Sequence, residues 1–303
     1  MPYTPNAKIV VAGGTGMLGS RLCPYLVDRG YEVVVLTRNN RPARKPDIRY
    51  VTWNPQTRSG WAHEIEDAHA VINLCGEIIA GKRWTEKRKT ALIHSRTEPS
   101  RALVAAVQAA EKPPAVFLQA SGVGYYGPGA QERTEQSSAG SDWLATLAVA
   151  WETPLNELTT RHVALRLGVV LDTHGGALPQ MVMPFRFFVG GKIAGGKQWF
   201  CWVHIQDVLR AIEFLLNDES ISGPVNVASP RGINNAELTA AISKVMKRPA
   251  LFNVPRFVMH ILLGEQATLV CDGQNVAPVS LLSAGFQFDY AEIEPALLNL
   301  IGR

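Results

Sequence analysis

Short runs of consecutive apolar residues alternate with helix-like segments through the first half of the chain. The runs are rich in valine, isoleucine and leucine, which predicts buried β-strands, and they lie at residues 8–12, 32–37, 70–74 and 115–120. Helices are predicted between them at residues 17–29, where Gly30 ends the pattern, and at residues 98–110. Buried strands that alternate with helices are typical of a parallel sheet covered on both faces. We therefore predict an α/β fold with a doubly wound parallel sheet.

The pattern changes after Val170. Residues 172–200 combine glycines with aromatic side chains, which predicts a folded but loop-rich segment. Two more strands and four more helices are expected, the strands at 163–167 and 225–227 and the helices at 208–216, 236–246, 256–263 and 293–300. We therefore expect one domain over residues 1–171, completed by about 203–228, and a smaller interleaved lobe over 172–202 and 229–303.

A glycine-rich turn joins the first predicted strand to the first predicted helix. Gly13, Gly16 and Gly19 form a GxxGxxG pattern that also contains Thr15, Met17 and Leu18. The first glycine permits a tight turn, the second lets the backbone approach a pyrophosphate, and the third allows the helix to pack closely on the strand. Because the helix N-terminus also attracts anions, the segment predicts a dinucleotide site. A purely structural turn is the alternative.

The end of the second strand indicates which dinucleotide is bound. An acidic residue about 20 positions after the glycines usually holds the adenosine ribose, but this strand ends at Thr37 and Arg38. A guanidinium at this place can pair with a 2′-phosphate and stack on adenine. The sequence therefore predicts NADP as the cofactor. Arg41, Arg44 and Lys45 follow, and for most of these three a solvated basic loop is the alternative.

Composition and charge exclude several classes of protein. Apolar residues make up 47% and charged residues 18% of the 303 residues, as in ordinary globular proteins. Four widely spaced cysteines fit a reducing cytoplasm and argue against a disulfide framework or a cysteine-rich metal site. No apolar run has the ~18 residues of a membrane helix, and the net charge of +4 is interspersed. We expect no membrane or nucleic-acid partner and, without a signal-peptide pattern, a cytoplasmic protein.

Several motifs together resemble the short-chain dehydrogenase/reductase superfamily, and within it the atypical epimerase branch related to nucleotide-sugar epimerases. The motifs are the glycine turn, the segments at residues 71–77, 121–127, 164–171 and 202–207, Arg83-Trp84-Thr85, Ser95-Arg96, Pro184-Phe185-Arg186 and the tail at 285–288. The resemblance extends over nearly the whole chain. It implies an NADP-binding Rossmann domain and a C-terminal substrate lobe over the nicotinamide end.

The resemblance also implies roles for individual residues. Thr37 and Arg38 would contact the adenosine phosphate, and Arg96 would reach the cofactor from a helix. The remaining positions, Leu74, Cys75, Gly76 and Val170, would lie along the cofactor or meet its nicotinamide end. For the two aliphatic residues, Leu74 and Val170, an ordinary place in the core is the alternative. A small molecule is the expected substrate, and the oligomeric state stays open, with a homodimer as one option.

The usual catalytic pair of this superfamily is absent from the sequence. Working members use Tyr-x-x-x-Lys on a helix, where the lysine lowers the pKa of the tyrosine. The corresponding helix, expected at residues 142–157, has Leu144 and Ala148 at those positions. The remaining candidates for a catalytic role are Ser121, Tyr125 and Tyr126. An equal alternative is that one tyrosine packs beside the nicotinamide and the other is structural.

His204 and Asp207 are candidates for a catalytic pair, but the start of a helix is the simpler interpretation of this segment.

Two functions are compatible with the sequence. The first is an NADP-dependent oxidoreductase or epimerase-like enzyme that acts on a small polar, sugar-derived substrate. The second is a non-catalytic NADPH-binding redox sensor, which the missing Tyr/Lys pair favours. The glycine-rich and aromatic segment at 185–202 favours the first, because pockets combine apolar walls with a few polar groups.

Overall fold

The computed structural model describes residues 6–39 and 47–302. Its β-strands are, in chain order, β1 (Lys8–Ala12), β2 (Glu32–Thr37), β3 (Ile48–Thr52), β4 (Ala70–Asn73), β5 (Val116–Gly122), β6 (Gly129–Arg133), β7 (His162–Leu167), β8 (Val169–Asp172), β9 (Gly175–Gly176), β10 (Gly191–Ile193), β11 (Trp199–Phe200), β12 (Trp202–His204), β13 (Gly223–Val227), β14 (Ile233–Asn234), β15 (Phe252–Val254) and β16 (Gln274–Val276).

The α-helices follow the strands as the alternating pattern predicts. They are α1 (Met17–Val27), α2 (Glu86–Ala109), α3 (Trp143–Glu152), α4 (Leu178–Arg186), α5 (Ile205–Asn217), α6 (Asn235–Met246), α7 (Arg256–Leu263), α8 (Thr268–Cys271), α9 (Val279–Ser283) and α10 (Ile293–Ile301). None of the helices in the described ranges combines the length and the apolar character needed to cross a membrane.

The main sheet has seven parallel strands in the order β13-β7-β5-β4-β1-β2-β3. The predicted doubly wound α/β fold is therefore confirmed. The chain reverses its direction of winding between β1 and β4, which pair in the register Ile9↔Ala70 to Ala12↔Asn73. In such sheets ligands bind in the crevice outside the carboxyl ends of the strands at this reversal. The glycine-rich turn leaves β1 at that edge.

Apolar side chains cover both faces of the sheet. Alternate residues of β1 point to opposite sides, so that Ile9 and Val11 join one core with α1 and α5, whereas Val10 and Ala12 join a second core with α2. This explains why the strands are apolar without interruption. A third apolar cluster lies outside the sheet, where α4, α6 and α10 surround the buried Trp202. The predicted domain boundaries stay a prediction.

The structure differs from the sequence-based expectations at several elements. The edge strand β3 was not expected, because Arg49 and Tyr50 interrupt its apolar run. Helix α2 begins at Glu86, a dozen residues earlier than predicted, because Thr85 caps it by accepting a hydrogen bond from the Arg88 N–H at 3.2 Å. Helix α3 is shorter than predicted because a 3₁₀ turn follows at Thr153–Glu157. The loop-rich segment contains α4, a nine-residue helix.

His204 and Asp207 hold the start of α5 against the C-terminal tail. The Nδ1 of His204 accepts from the Gln206 N–H at 3.1 Å, its Nε2 lies 3.1 Å from Asn299 Oδ1, and its ring stacks on Tyr290 at 3.8 Å. Asp207 accepts from the backbone N–H groups of Asp289 and Tyr290 at 2.8 and 3.0 Å. This arrangement agrees with the helix-start interpretation of the pair.

We predict that His204 makes the stability of the protein depend on pH. Burial lowers its pKa below the usual value of about 6.5, because it disfavours the charged imidazolium. The unfolded chain therefore binds the proton more readily, so the contribution is complete above about pH 6.5 and is lost as the pH falls. The difference in unfolding free energy between the wild type and His204→Asn, measured with urea, should be largest near pH 8 and shrink towards pH 5. A difference that does not change with pH would contradict this.

Candidate functional site

The glycine turn requires the absence of a Cβ at two positions of the GxxGxxG pattern, Gly13 and Gly19. Gly13 has φ +79°, and a Cβ there would lie 2.8 Å from the carbonyl carbon of Leu74. A Cβ on Gly19 would lie 2.5 Å from the carbonyl oxygen of Gly13. A Cβ on Gly16 would meet only the Gly13 oxygen, at 3.3 Å. The turn thus presses α1 against β1 and β4, while Gly16 stays exposed at the crevice.

The N-terminus of α1 is free to accept an anion. Gly16 caps the helix without a side-chain hydrogen bond, and the first turn contains no acidic residue. Thr15 is exposed beside it, and Leu18 packs against the core. Met17 lies under the β8–β9 hairpin, since its sulfur would be 2.8 Å from a Cβ on Gly176. Unpaired N–H groups and the helix dipole make this a suitable place for a pyrophosphate.

The β8–β9 hairpin is attached to α1 by a partly buried ion pair. The Arg21 guanidinium donates two hydrogen bonds to Asp172 at 3.0 and 3.1 Å. Burial opposes ionisation of Asp172, but the bonds from Arg21 and from the His174 N–H hold its pKa down at about 2. Val170, which pairs with Val203 in β12, is half-buried at the base of this hairpin.

Two cations converge on the turn that follows β4. Arg38 is exposed at the end of β2, and its charge acts on the Cys75 thiol, whose pKa burial raises to about 12. Arg96 of α2 also adjoins this turn. Its Cζ lies 3.1 Å from the position that a Cβ on Gly76 would occupy. Thr37, next to Arg38, is buried, and its Oγ1 accepts from the Asn39 N–H at 3.4 Å. Arg41, Arg44 and Lys45 lie outside the described residues.

Arg96 is a buried cation without a carboxylate partner among the described residues. Its guanidinium donates to the carbonyls of Leu92 and Glu77 at 3.0 and 2.9 Å and lies 4.7 Å from the Trp151 ring. Its Nε is buried and has no acceptor in the described part of the chain. Burial lowers the pKa of Arg96 to about 10, and the charge of Arg88 acts in the same direction. A buried guanidinium with a spare donor fits an anionic or hydroxyl-bearing ligand.

A buried polar network fixes the backbone at the end of β4. Asn73 donates to Gln119 Oε1 at 3.0 Å, and Ser100 of α2 donates to the same oxygen at 3.0 Å. The Asn73 Oδ1 in turn accepts from the Cys75 N–H at 3.0 Å. All three side chains are fully buried. The network holds the Leu74–Cys75 turn against the glycine turn, where a cofactor would pass.

The hydroxyl groups of Ser121 and Tyr126 belong to a second buried network. Ser121 donates to Glu152 Oε1 at 2.6 Å, and Arg166 of β7 pairs with both carboxylate oxygens of Glu152 at 2.9 and 2.7 Å. Arg166 also donates to the Tyr126 hydroxyl at 3.0 Å, and that hydroxyl donates to Asn226 at 2.6 Å. Burial raises the pKa of Tyr126. Both hydroxyls therefore already have protein partners.

Tyr125 differs from its neighbour. It is half-buried, and no residue within 6–39 and 47–302 forms a hydrogen bond with its hydroxyl. The Arg166 guanidinium lies 3.3 Å from the centre of its ring. The structure places Leu144 next to this loop, because a Cβ on Gly124 would lie 3.3 Å from the Leu144 Cβ. Of the three candidate hydroxyls, only that of Tyr125 has a free donor and acceptor.

Arg166 and Glu152 are parts of the site that were not predicted from the sequence. A signal was present: Arg166 is the only charged residue in the strand sequence His-Val-Ala-Leu-Arg-Leu, whose middle residues are buried. A cation at a buried strand position requires a partner. The partner comes from a different element and could not be read from the spacing.

Several known proteins resemble this chain in sequence and in fold. The model of the NAD dependent epimerase/dehydratase family matches residues 9–146, and that of a domain of unknown function, DUF1731, matches residues 254–300. An epimerase family protein of Staphylococcus aureus strain MRSA252 is 35% identical over 302 residues, which cover 98% of this chain and 99% of the relative. A protein of Staphylococcus haemolyticus with the same description is 36% identical over 299 residues, 97% of this chain and 99% of the relative.

Two solved structures are also similar. Human epimerase family protein SDR39U1 (isoform 2), determined with NADPH, superposes with a TM-score of 0.89 at 31% identity and covers 97% of this chain and 98% of its own. A nucleoside-diphosphate sugar epimerase of Corynebacterium glutamicum gives a TM-score of 0.78 at 27% identity, over 99% of this chain and 59% of its own. The resemblance predicted from the motifs is confirmed. This chain belongs to the NAD(P)-binding epimerase family.

Proposed function

We propose that the protein is an NADP-dependent oxidoreductase or epimerase-like enzyme. The observation that carries this proposal is that β2 is followed by Arg38 with no described carboxylate at its end, while the buried Arg96 adjoins Gly76 in the turn after β4. The human relative was solved with NADPH, whereas more distant neighbours of the same fold were solved with NAD. The charges of this chain favour the phosphorylated dinucleotide.

The residues present fit such a cofactor. The free N–H groups at the start of α1 would hold the pyrophosphate, Thr37 and Arg38 the adenosine phosphate, and Arg96 a phosphate or ribose oxygen. The backbone of residues 74–76 and Val170 would border the rest of the molecule. When bound, the nicotinamide supplies or accepts a hydride. The protein contributes binding, orientation and the transfer of a proton.

Tyr125 is the residue we propose for proton transfer. Its hydroxyl has no partner in the described chain, and the Arg166 guanidinium, 3.3 Å from the centre of its ring, holds the ring in place. Ser121 accepts a further hydrogen bond readily, because it already donates its proton to Glu152. It would therefore position a substrate hydroxyl, and Tyr126 would hold Arg166 in place.

The redox-sensor function is the second candidate, and a specific contact favours it. The C-terminal segment is attached to the loop after β4, since Arg83 donates to the Ile261 carbonyl at 3.1 Å and Lys89 pairs with Glu265 at 2.7 Å. A cofactor bound beside that loop would therefore influence α7. Tight NADPH binding without turnover of any carbonyl or sugar substrate would favour this function over the enzymatic one.

We predict that Arg38 selects the cofactor. A hydrogen bond to a charged group contributes about 1.5–3 kcal/mol, so Arg38→Ala should weaken NADPH binding roughly ten- to hundredfold. The affinity for NADH, which lacks the phosphate, should change little and serves as an internal control. Fluorescence titration with both nucleotides measures the effect. Equal losses of affinity for NADPH and NADH would show that Arg38 does not recognise the phosphate.

We expect Arg96 to contribute more to cofactor binding than to the stability of the fold. Replacing it with Met keeps the length of the side chain and removes a desolvated charge, so the melting temperature of the apo protein should change little while NADPH binding falls roughly tenfold or more. Arg101→Met, on the exposed side of the same helix, is the matched control. Strong apo destabilisation with unchanged NADPH affinity would instead assign Arg96 to the fold.

Replacing the two tyrosines one at a time should show that Tyr125 supports turnover and Tyr126 supports stability. Turnover is expected to be slow, because losing a positioned acid–base pair typically forfeits ~10²–10⁴ in rate. Tyr125→Phe should abolish the residual oxidation of NADPH with a panel of aldehydes and ketones while the unfolding free energy stays unchanged. Tyr126→Phe should instead lower that free energy by ~1–3 kcal/mol, since it leaves Asn226 and Arg166 short of a partner. Turnover that survives Tyr125→Phe would place the proton donor elsewhere.

A further inference from the structure

An exposed apolar surface lies on the lobe that follows β8. We call it the apolar face and define it as the exposed apolar residues of three pieces of chain: residues 183–189 at the end of α4, residues 251–252 around the start of β15, and helix α7. The first two pieces adjoin, because the Phe252 N–H donates to the Gly190 carbonyl at 3.3 Å and β15 pairs with β10. Helix α7 begins two residues after the end of β15.

Helix α7 is apolar in sequence but is not buried. Its sequence is Arg-Phe-Val-Met-His-Ile-Leu-Leu, yet none of its eight residues is buried. Phe257 and Ile261 lie one turn apart on the same side of the helix and are 65% and 68% exposed. A helix this short gains most of its stability from packing its apolar side on other parts of a protein. Within the described chain, the exposed side of α7 lacks the surface that such a helix normally packs on.

The area of the apolar face exceeds what a monomer usually leaves exposed. Its four phenylalanines are 50–69% exposed, and they are Phe187, Phe188, Phe252 and Phe257. Because an aromatic side chain offers about 150–250 Å², these four present on the order of 500 Å². The aliphatic members are 51–83% exposed and add roughly as much again. The largest apolar patch of a typical monomer is about 300–600 Å², whereas each partner in a standard interface buries about 800 Å². The face therefore has the area of a protein–protein interface.

Phe188 is held exposed at an energetic disadvantage. Its φ is +61°, in the left-handed region that a bulky residue rarely adopts. Its N–H donates to the Phe185 carbonyl at 3.0 Å, and the Arg248 guanidinium lies 4.3 Å from the centre of its ring. Neither the strained backbone nor the exposed ring stabilises the monomer. Strain of this kind persists where the surrounding structure enforces it and is common at binding sites.

The charged residues around the face have both signs. Beside α7, Arg83 donates to the Ile261 carbonyl at 3.1 Å and Lys89 pairs with Glu265 at 2.7 Å, so the segment that leads into α2 borders the helix. The exposed charged residues on this side include Glu77, Lys82, Arg83, Glu86, Lys87 and Glu265. Next to residues 187–189, the exposed cations are Arg186 and Lys192.

A second copy of this chain fits these features better than a membrane surface does. In a two-fold dimer the same patch serves both subunits, so the patch must be complementary to itself. Because the rim carries both signs, cations of one copy can face glutamates of the other, whereas a rim of a single sign would repel its own copy. An anionic lipid surface would attract the cations but repel the glutamates.

We propose that the apolar face is the interface of a homodimer, in which the same face of two copies packs together about a two-fold axis. The phenylalanines form the buried centre of this interface, and the charged residues form its rim. Interfaces usually have an apolar centre and a polar rim, and a few buried aromatic residues contribute most of the binding energy. The inference goes beyond the proposed function and is independent of it, since it uses neither the cofactor nor Tyr125.

The test is sedimentation velocity of the intact protein over a wide range of concentrations. We expect the wild type to sediment as a dimer without larger species, because a two-fold interface is closed. Phe187→Ser and Phe257→Ser change two different pieces of the face. Each should weaken dimerisation roughly a hundredfold or more, because the residue is replaced in both subunits of the dimer.

A matched control separates the face from exposed apolar residues in general. Leu298→Ser changes a residue of α10 that is 56% exposed and lies outside the apolar face, so this variant should dimerise like the wild type. Circular dichroism verifies that each variant is folded. Amide hydrogen exchange of the wild type should show residues 187–189 and α7 protected at concentrations where the dimer forms and unprotected after dilution.

Several results would overturn the proposal. A wild type that stays monomeric at every concentration would exclude the dimer. If that monomer sediments with phosphatidylglycerol vesicles and Phe257→Ser abolishes this, the face binds a membrane surface instead. A dimer that both phenylalanine variants leave intact, or that Leu298→Ser weakens equally, would place the interface elsewhere on the molecule. Species larger than a dimer that Phe257→Ser dissolves would show that the contact is not two-fold.

Discussion

The close approach of three backbone segments is the constraint on which the rest of this edge of the sheet depends. Gly13 and Gly19 bring α1, β1 and the turn after β4 within a distance that no side chain tolerates. The same contact leaves the N–H groups at the start of α1 directed towards the crevice. The Asn73–Gln119–Ser100 network keeps the backbone of the turn after β4 in place, and Arg96 adjoins this turn at Gly76. The close packing of this edge and the direction of these N–H groups therefore have one common cause.

Helix α3 and strand β7 together supply a buried ion pair at the candidate site. Helix α3 presents Leu144 and Ala148 at the positions where the resemblance implies tyrosine and lysine, and the charged residue at its end, Glu152, accepts a hydrogen bond from Ser121. The cation is supplied instead by β7, through Arg166. Breaking a buried ion pair by removing one partner typically costs about 3–5 kcal/mol, so the position of this cation is strongly fixed. Its contact with Tyr125 follows from that rigidity.

The parts of the structure that follow from local chemistry were predictable from the sequence. The seven-residue glycine segment and the continuous apolar strands each have a local physical cause, and they were enough to predict the fold. The role of Arg38 at the end of β2 stays a prediction. Strand β3 was missed because it lies at the edge of the sheet, where polar residues interrupt the apolar pattern. The partners of Arg166, and the burial of Arg96 against Trp151, result from tertiary packing between distant elements. No spacing rule could have produced them.

The order of the strands has a consequence for synthesis of the chain. Strand β7 pairs on one side with β5 and on the other with β13, whose paired residues come 60 positions later in the chain. Helix α5, which covers one face of the sheet, also emerges late. While the ribosome is still producing the intervening segment, the edge of β7 and part of the apolar sheet remain uncovered. Such edges recruit other strands, so the nascent chain passes through a stage in which chaperones compete with aggregation.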